Sequence, residues 1–185
     1  MAKHPESYRI TIDNVSRDLR LFEVAPGVHI AILNILGDVE LVQAASQALQ
    51  RKLHNVTFDT IITPAAKGIP LAYQLSADTG KPYVALRKTY KIYMGEPIVA
   101  ETESITTGER QTLYLDEKDL DLVRNRSVLL VDDVISTGST LNAMRAIVDN
   151  AGGRVAAEAA IFTEGEVRKW QTIISLGNLP VWLDT

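Results

Sequence analysis

With 185 residues, 46% of them hydrophobic and 23% charged, the chain is long enough to bury one sizeable core and does not have the composition of a disordered protein. Its formal charge of −4 argues against a broad nucleic-acid surface, and the absence of cysteine excludes disulfides and thiolate metal sites. His4, His29 and His54 are too scattered to suggest a transition-metal site, no apolar run approaches the ~20 residues of a membrane span, and the polar opening is no signal peptide, so a cytoplasmic protein without membrane or nucleic-acid partners is expected.

Residues 1 to about 25 are polar and mixed in charge, and are expected to form a helix or an arm laid on the domain. Pro26-Gly27 is a turn, and Val28 to Leu33 is an apolar, strand-like run. Asp38 is placed to cap a helix reaching about Leu53, with Val42, Ala45, Leu49 and Leu53 on one face. Phe58 to Ile62 reads as a short buried strand, followed by the turn Thr63-Pro64-Ala65-Ala66-Lys67-Gly68 and a helix from about Ile69 to Ser76. Tyr83 to Arg87 is the next strand. Strands alternating with helices imply right-handed βαβ units and a mostly parallel sheet. From Arg87 to Arg126 the pattern changes. Val99 to Ile105 and Gln111 to Leu115 alternate like hairpin strands around Thr107-Gly108, and so long an excursion from an α/β core is often a lid. Val155 to Phe162 is another buried strand, and Thr172 to Leu176 is the last one expected.

Between these lies the stretch from Val128 to Thr140. Val128 to Val131 are apolar and suit a buried parallel strand. Asp132 and Asp133 follow, then the small hydroxylated run Ser136-Thr137-Gly138-Ser139-Thr140. Leu141, Met144, Ile147, Val148 and Ala151 then recur at helical spacing up to Gly152-Gly153. A loop of backbone N–H groups and hydroxyls at a helix N-terminus favours an anion. Two carboxylates beside it suit vicinal hydroxyls or a hydrated Mg²⁺. A single ligand carrying phosphate, diol and metal engages all of it. Thr63 to Gly68 lies at a second strand-to-helix junction, where Ala65 and Ala66 leave room, Gly68 frees the backbone and Lys67 offers a point charge.

The stretch Val128 to Thr140 resembles the 5-phosphoribosyl-1-pyrophosphate (PRPP) motif of type I phosphoribosyltransferases: an apolar strand, two acids, two apolar residues and a T-G-x-T loop. Further pieces match in order and spacing: Pro26-Gly27-Val28, Phe58-Asp59, Lys67-Gly68, Thr79-Gly80-Lys81-Pro82, Arg87-Lys88 and Gly95-Glu96. The resemblance spans roughly Pro26 to Val181 and is to the purine branch, adenine and archaeal-type hypoxanthine enzymes alike. It implies one α/β domain over residues 1–185. Helices flank a mostly parallel sheet, with a small hood from about 20–35 and 163–185 and a flexible lid at about 88–110.

The resemblance also implies that a purine base is joined to ribose 5-phosphate from PRPP with release of pyrophosphate, in a cytoplasmic purine-salvage homodimer using Mg²⁺. Asp132 and Asp133 would face the ribose hydroxyls and the metal. Val134, Ile135, Ser136, Thr137, Gly138, Ser139 and Thr140 would complete the PRPP site, the last five on the 5′-phosphate. Ala65, Ala66, Lys67, Gly68, Arg87, Lys88 and Lys91 would hold pyrophosphate, the first loop often through an unusual backbone bond. Asp132, Asp133, Lys67, Arg87 and Lys88 are the expected catalytic set. Val28, His29, Ile30, Ile135 and Glu164 would wall the base.

Several positions depart from the family pattern. Ser136 stands where many hypoxanthine–guanine enzymes carry aspartate, which favours adenine. Lys67 stands where adenine-type members carry arginine, keeping charge but losing bidentate geometry. His29-Ile30-Ala31-Ile32 replaces an aromatic-Arg-Asp stretch, and Thr106-Thr107-Gly108 replaces Glu-Tyr-Gly, with Glu101 and Glu103 nearby. Hypoxanthine, guanine or xanthine transfer stays open as an alternative. So does a regulator that binds PRPP or a nucleotide without turnover.

Overall fold

The structure is a computed structural model that describes residues 4–103 and 110–184. The N-terminal segment is neither helix nor arm. It is a hairpin of β1 (Ser7–Ile12) and β2 (Val15–Ala25), paired from Ser7↔Arg20 to Ile12↔Val15. Asp13 makes the turn at φ +51°, a conformation that aspartate tolerates better than most residues. The period-two pattern was present in the sequence: Ile10, Ile12, Val15 and Leu19 are buried in the core, while Arg9, Thr11 and Ser16 face solvent.

β3 (Val28–Ala31) pairs antiparallel with β2, and the chain then enters α1 (Val39–Lys52). Asp38 caps that helix as expected, its Oδ1 accepting the Leu41 N–H at 3.2 Å. The same carboxylate takes a bidentate pair of bonds from Arg17 of β2, at 2.8 and 2.9 Å, which ties hairpin to helix.

β4 (Thr60–Pro64), α2 (Ile69–Thr79) and β5 (Tyr83–Leu86) form a parallel βαβ unit, and Gly80 closes α2 in a left-handed conformation. A hairpin of β6 (Ile98–Glu103) and β7 (Arg110–Leu115) follows; Thr106-Thr107-Gly108 at its turn lies outside the described residues. β8 (Ser127–Ile135), α3 (Ser139–Asn150) and β9 (Arg154–Glu164) extend the sheet in parallel. The tail strand sits two residues later than expected, as β10 (Ile174–Leu179), and a further strand, β11 (Val181–Leu183), returns to pair antiparallel with β3.

The result is an α/β fold. A five-stranded parallel sheet ordered β10-β9-β8-β4-β5 forms the body, and a four-stranded sheet ordered β1-β2-β3-β11, built from both ends of the described chain, forms a hood. Alternation along β8 divides the body sheet's two faces. Leu129 and Val131 pack with α1, α2 and the hood hairpin; Val128 and Leu130 pack with α3 and the β6–β7 hairpin. The β6–β7 hairpin, which holds part of the segment expected as a lid, packs on that second face. Ala100, Leu113 and Leu115 of the hairpin are buried core residues, and Arg87 and Tyr114 exchange backbone hydrogen bonds at 2.8 and 3.0 Å. The strand bases are therefore anchored to the body. No helix among the described residues is long and apolar enough to cross a membrane.

Candidate active site

β4 and β8 are adjacent parallel strands, and the loops beyond their C-terminal ends meet. Such a crevice at strand ends is where open α/β sheets bind ligands. β8 runs four residues further than its apolar start implies, so Asp132 and Asp133 lie on the strand itself and both are buried. Successive strand residues project to opposite faces, which shares the pair between two recesses. Asp132 lines a small one of about 30 Å³ together with Val134, Ile135, Ser136, Thr137, Gly138 and Thr140. Asp133 lines a neighbouring cavity of about 200 Å³. Burial, with the adjacent Asp133 carboxylate, pushes the Asp132 carboxyl well above the usual range, and Lys88 partly opposes this. The Oδ1 of Asp132 also accepts the Asp133 N–H at 2.9 Å.

The loop from Ser136 to Thr140 ends at the N-terminus of α3. Gly138, its cap, adopts φ +86°, and a side chain there would come within 2.8 Å of the Trp170 ring. Only glycine meets both conditions without strain. Trp170 backs the loop and anchors itself by donating Nε1–H to the Glu164 carbonyl at 3.0 Å. Lys169 lies over the Trp170 ring at 4.5 Å and donates to the Thr137 carbonyl at 3.0 Å. Thr137 and Ser139 hydroxyls are 3.0 Å apart, and Ser139 is buried. The Thr140 hydroxyl donates to Gln111 of β7 at 2.8 Å, which links this loop to the hairpin. Sequence reasoning missed Gln111, Lys169 and Trp170. They lie 29 to 32 residues from the loop residues they touch, Thr140, Thr137 and Gly138, and no local pattern marks them.

The second loop behaves differently. Its Ala65–Ala66 peptide is cis. Gly68 caps α2, and a side chain there would collide with the Thr63 hydroxyl and approach Asp132 Oδ1 at 3.3 Å. Glycine is therefore what lets the two loops close on each other. Ala65, Ala66 and Gly68 border this approach, but the Lys67 side chain turns the other way. Its Nζ donates to the Leu33 carbonyl at 3.2 Å and lines the larger cavity beside Asp133, Val134, Ser136 and Glu164. Arg87, Lys88 and Lys91 are exposed at and beyond the end of β5. Gly95, at φ +61°, leaves space for the Glu117 carboxylate, which accepts the Glu96 N–H at 2.9 Å.

Of the residues expected to wall a base, Ile30 and Glu164 line the larger cavity, together with Ala31, Ile32 and Leu33. Burial raises the Glu164 carboxyl above its usual range. Val28 and His29 do not line it: they pair with Leu183 and Trp182 of β11, and the His29 ring stacks on His4. Ile135 lines the smaller recess instead.

A family model, the phosphoribosyl transferase domain, matches residues 32–171. The chain belongs to the phosphoribosyltransferase family. Among curated relatives of this phosphoribosyltransferase domain, a hypoxanthine/guanine phosphoribosyltransferase from Methanococcus voltae is 33% identical over 143 residues, covering 77% of this chain and 69% of that protein. An adenine phosphoribosyltransferase from Thermosipho africanus is 29% identical over 151 residues, covering 78% and 85%. The purine biosynthesis transcriptional repressor PurR of Bacillus subtilis is 27% identical over 161 residues, covering 84% of this chain; the chain spans about half of that regulator's length (56%). The fold agrees. The crystal structure of adenine phosphoribosyltransferase from Thermoanaerobacter pseudethanolicus superposes with a TM-score of 0.68 at 23% identity, over 94% of this chain and 95% of that one. The family match covers α1 to β9, and so includes both loops, both acids and Lys67.

Proposed function

We propose that the chain is a purine phosphoribosyltransferase that joins a purine, adenine first, to ribose 5-phosphate from PRPP in purine salvage, releasing pyrophosphate. The observation that carries this reading is the meeting of two anion-suited loops, at the N-termini of α2 and α3, on either side of a buried Asp132. A 5′-phosphate sits on the Ser136–Thr140 loop, and pyrophosphate sits on the Ala65–Gly68 loop under Arg87 and Lys88. The base enters the cavity lined by Ile30, Val134 and Glu164. Adenine is favoured because position 136, where many hypoxanthine–guanine enzymes carry aspartate, is a serine that borders that cavity beside Asp133 and Glu164.

The acids fit Mg²⁺: both offer hard oxygen donors, and a cation beside the buried Asp132 relieves the cost of its charge. Bound with PRPP, Mg²⁺ supplies neutralisation of the charge that grows on the leaving pyrophosphate. The protein's own part is positioning. Asp132 and Asp133 orient the ribose hydroxyls, the helix N-termini hold the two phosphate groups apart, and Lys88 and Arg87 add positive charge on the leaving side. The chain acts as a homodimer, the oligomeric state in which a second copy can shield the exposed Arg87–Lys91 segment.

Incubation of the protein with PRPP, Mg²⁺ and adenine, hypoxanthine, guanine or xanthine in turn, followed by chromatography, tests the proposal. Adenine is expected to give AMP fastest. The double variant Asp132→Asn with Asp133→Asn is expected to lose turnover while staying folded. A second reading draws on the likeness to PurR regulators. A chain that converts none of the four bases but melts at higher temperature with PRPP binds it as a regulatory ligand.

A further inference from the structure

The hood brings together three side chains that are far apart in sequence. His29 lies on β3, Asp184 follows β11, and His4 precedes β1. One donor atom from each lies within 4.8 Å of those of the other two. His29 is 9% exposed, and its Nδ1 is buried without a hydrogen-bond partner among the described residues. An unpaired buried ring nitrogen is costly, so its presence calls for a reason. That nitrogen points toward Asp184, whose Oδ1 is 3.8 Å away, beyond a hydrogen bond. His4 approaches from the other side, its ring 3.7 Å from that of His29. The His4 Nδ1 is hydrogen-bonded to the Pro5 carbonyl at 3.0 Å. This fixes the proton on Nδ1 and leaves the Nε2 lone pair free, the arrangement that metal-bound histidines commonly show.

We propose that His4, His29 and Asp184 form a binding site for a divalent transition-metal ion of the zinc class, separate from the acids at the end of β8. Two imidazoles and one carboxylate are a borderline-to-hard donor set that suits Zn²⁺, Co²⁺ or Ni²⁺ and not Mg²⁺. Bonds of about 2.0–2.1 Å put tetrahedral donors roughly 3.4 Å apart, so the His29 Nδ1 and Asp184 Oδ1 atoms must draw in by about 0.4 Å and no pair by more than about 1.4 Å. The buried His29 stays, while half-buried His4 and exposed Asp184 move, with the His4 ring pivoting off its stack. A water completes the fourth position. The ion then staples the segment before β1 and the segment after β11 onto β3, next to Ile30 of the base cavity.

The test uses the full, untagged chain, treated with a chelator and kept in millimolar Mg²⁺ so that the oxygen-only acid site is occupied. Co²⁺ is titrated while its visible d–d absorption is followed, and Zn²⁺ is then added to displace it. One saturable equivalent per chain is expected. With Zn²⁺ the melting temperature is expected to rise by on the order of 5 °C. His4→Gln and Asp184→Asn, both outside the buried core, are each expected to weaken binding by about tenfold or more; His54→Gln is expected to leave it unchanged. Absence of saturable Co²⁺ binding overturns the site, as does affinity that survives either His4→Gln or Asp184→Asn.

Discussion

Asp132 is an acid held where its charge is disfavoured, and that has a measurable sign. Its folded pKa lies above its unfolded value, because burial and Asp133 both oppose ionisation. Between the two values the folded state binds more protons, so stability falls as pH rises through that window. Asp132→Asn keeps the shape and removes the cost. It is expected to raise the melting temperature at pH 7 by a few degrees, at roughly 2–4 °C per kcal/mol for a chain of this size. The advantage should vanish near pH ~4, where the unfolded-state carboxyl also protonates. Melting curves from pH 4 to 8 decide this; an offset that is the same at every pH removes the electrostatic explanation. Glu164 belongs to the same scale, with a different readout. It lines the larger cavity, where we propose the base sits, and not the smaller recess proposed for the 5′-phosphate. Glu164→Gln is therefore expected to lower kcat/KM for the base by about tenfold, the worth of one hydrogen bond to a charged group, with the KM for PRPP nearly unchanged. Steady-state kinetics with each substrate varied in turn separate the two.

At the scale of elements, the Ser136–Thr140 loop is shaped as much by what stands behind it as by its own residues. Gly138→Ala adds a side chain at φ +86° and presses it against Trp170. The expected cost is about 1–3 kcal/mol in stability and a higher KM for PRPP. The double variant with Trp170→Leu, which removes the clash but not the backbone strain, should recover part of the loss. The loop itself was legible in the sequence: a strand, two acids and a T-G-x-T run are local, and local order dictates their placement. α1 was legible for the same reason, because Asp38 and the Val42-Ala45-Leu49 stripe lie within one element. What escaped was non-local. Nothing near Thr140 announces Gln111, and nothing near Lys67 says that its ammonium bonds the Leu33 carbonyl. The hood's antiparallel pairing was missed at both ends because mixed charge in β1 and β2 masked a strict alternation of Tyr8, Ile10 and Ile12 with polar residues.

For the molecule as a whole, stability depends on ties between hood and body. The Arg17–Asp38 pair is one of them, joining β2 to the start of α1 while the same carboxylate caps the helix. Arg17 holds the Asp38 carboxyl below its usual range, with the Leu41 N–H adding to the effect. This contribution is present above the unfolded carboxylate pKa and is lost as pH falls through the depressed folded value. Asp38→Ala is expected to cost about 1–2 kcal/mol at pH 7, the usual range for a lost cap, and less in acid. Urea titrations at pH 7 and pH 3 measure both.

The pairing of β3 with β11 also sets an order of events. The hairpin of β1 and β2 closes within a few residues, and β4, α2 and β5 form one continuous unit, but Val28 must wait for Leu183. Contacts so distant along the chain pay the most loop-closure entropy and form late. During refolding from urea, protection of amides around the Ser136–Thr140 loop is expected to precede protection in β3. A chain caught midway holds a formed Ser136–Thr140 loop beside a larger cavity that still lacks the wall supplied by Ile30 and its neighbours.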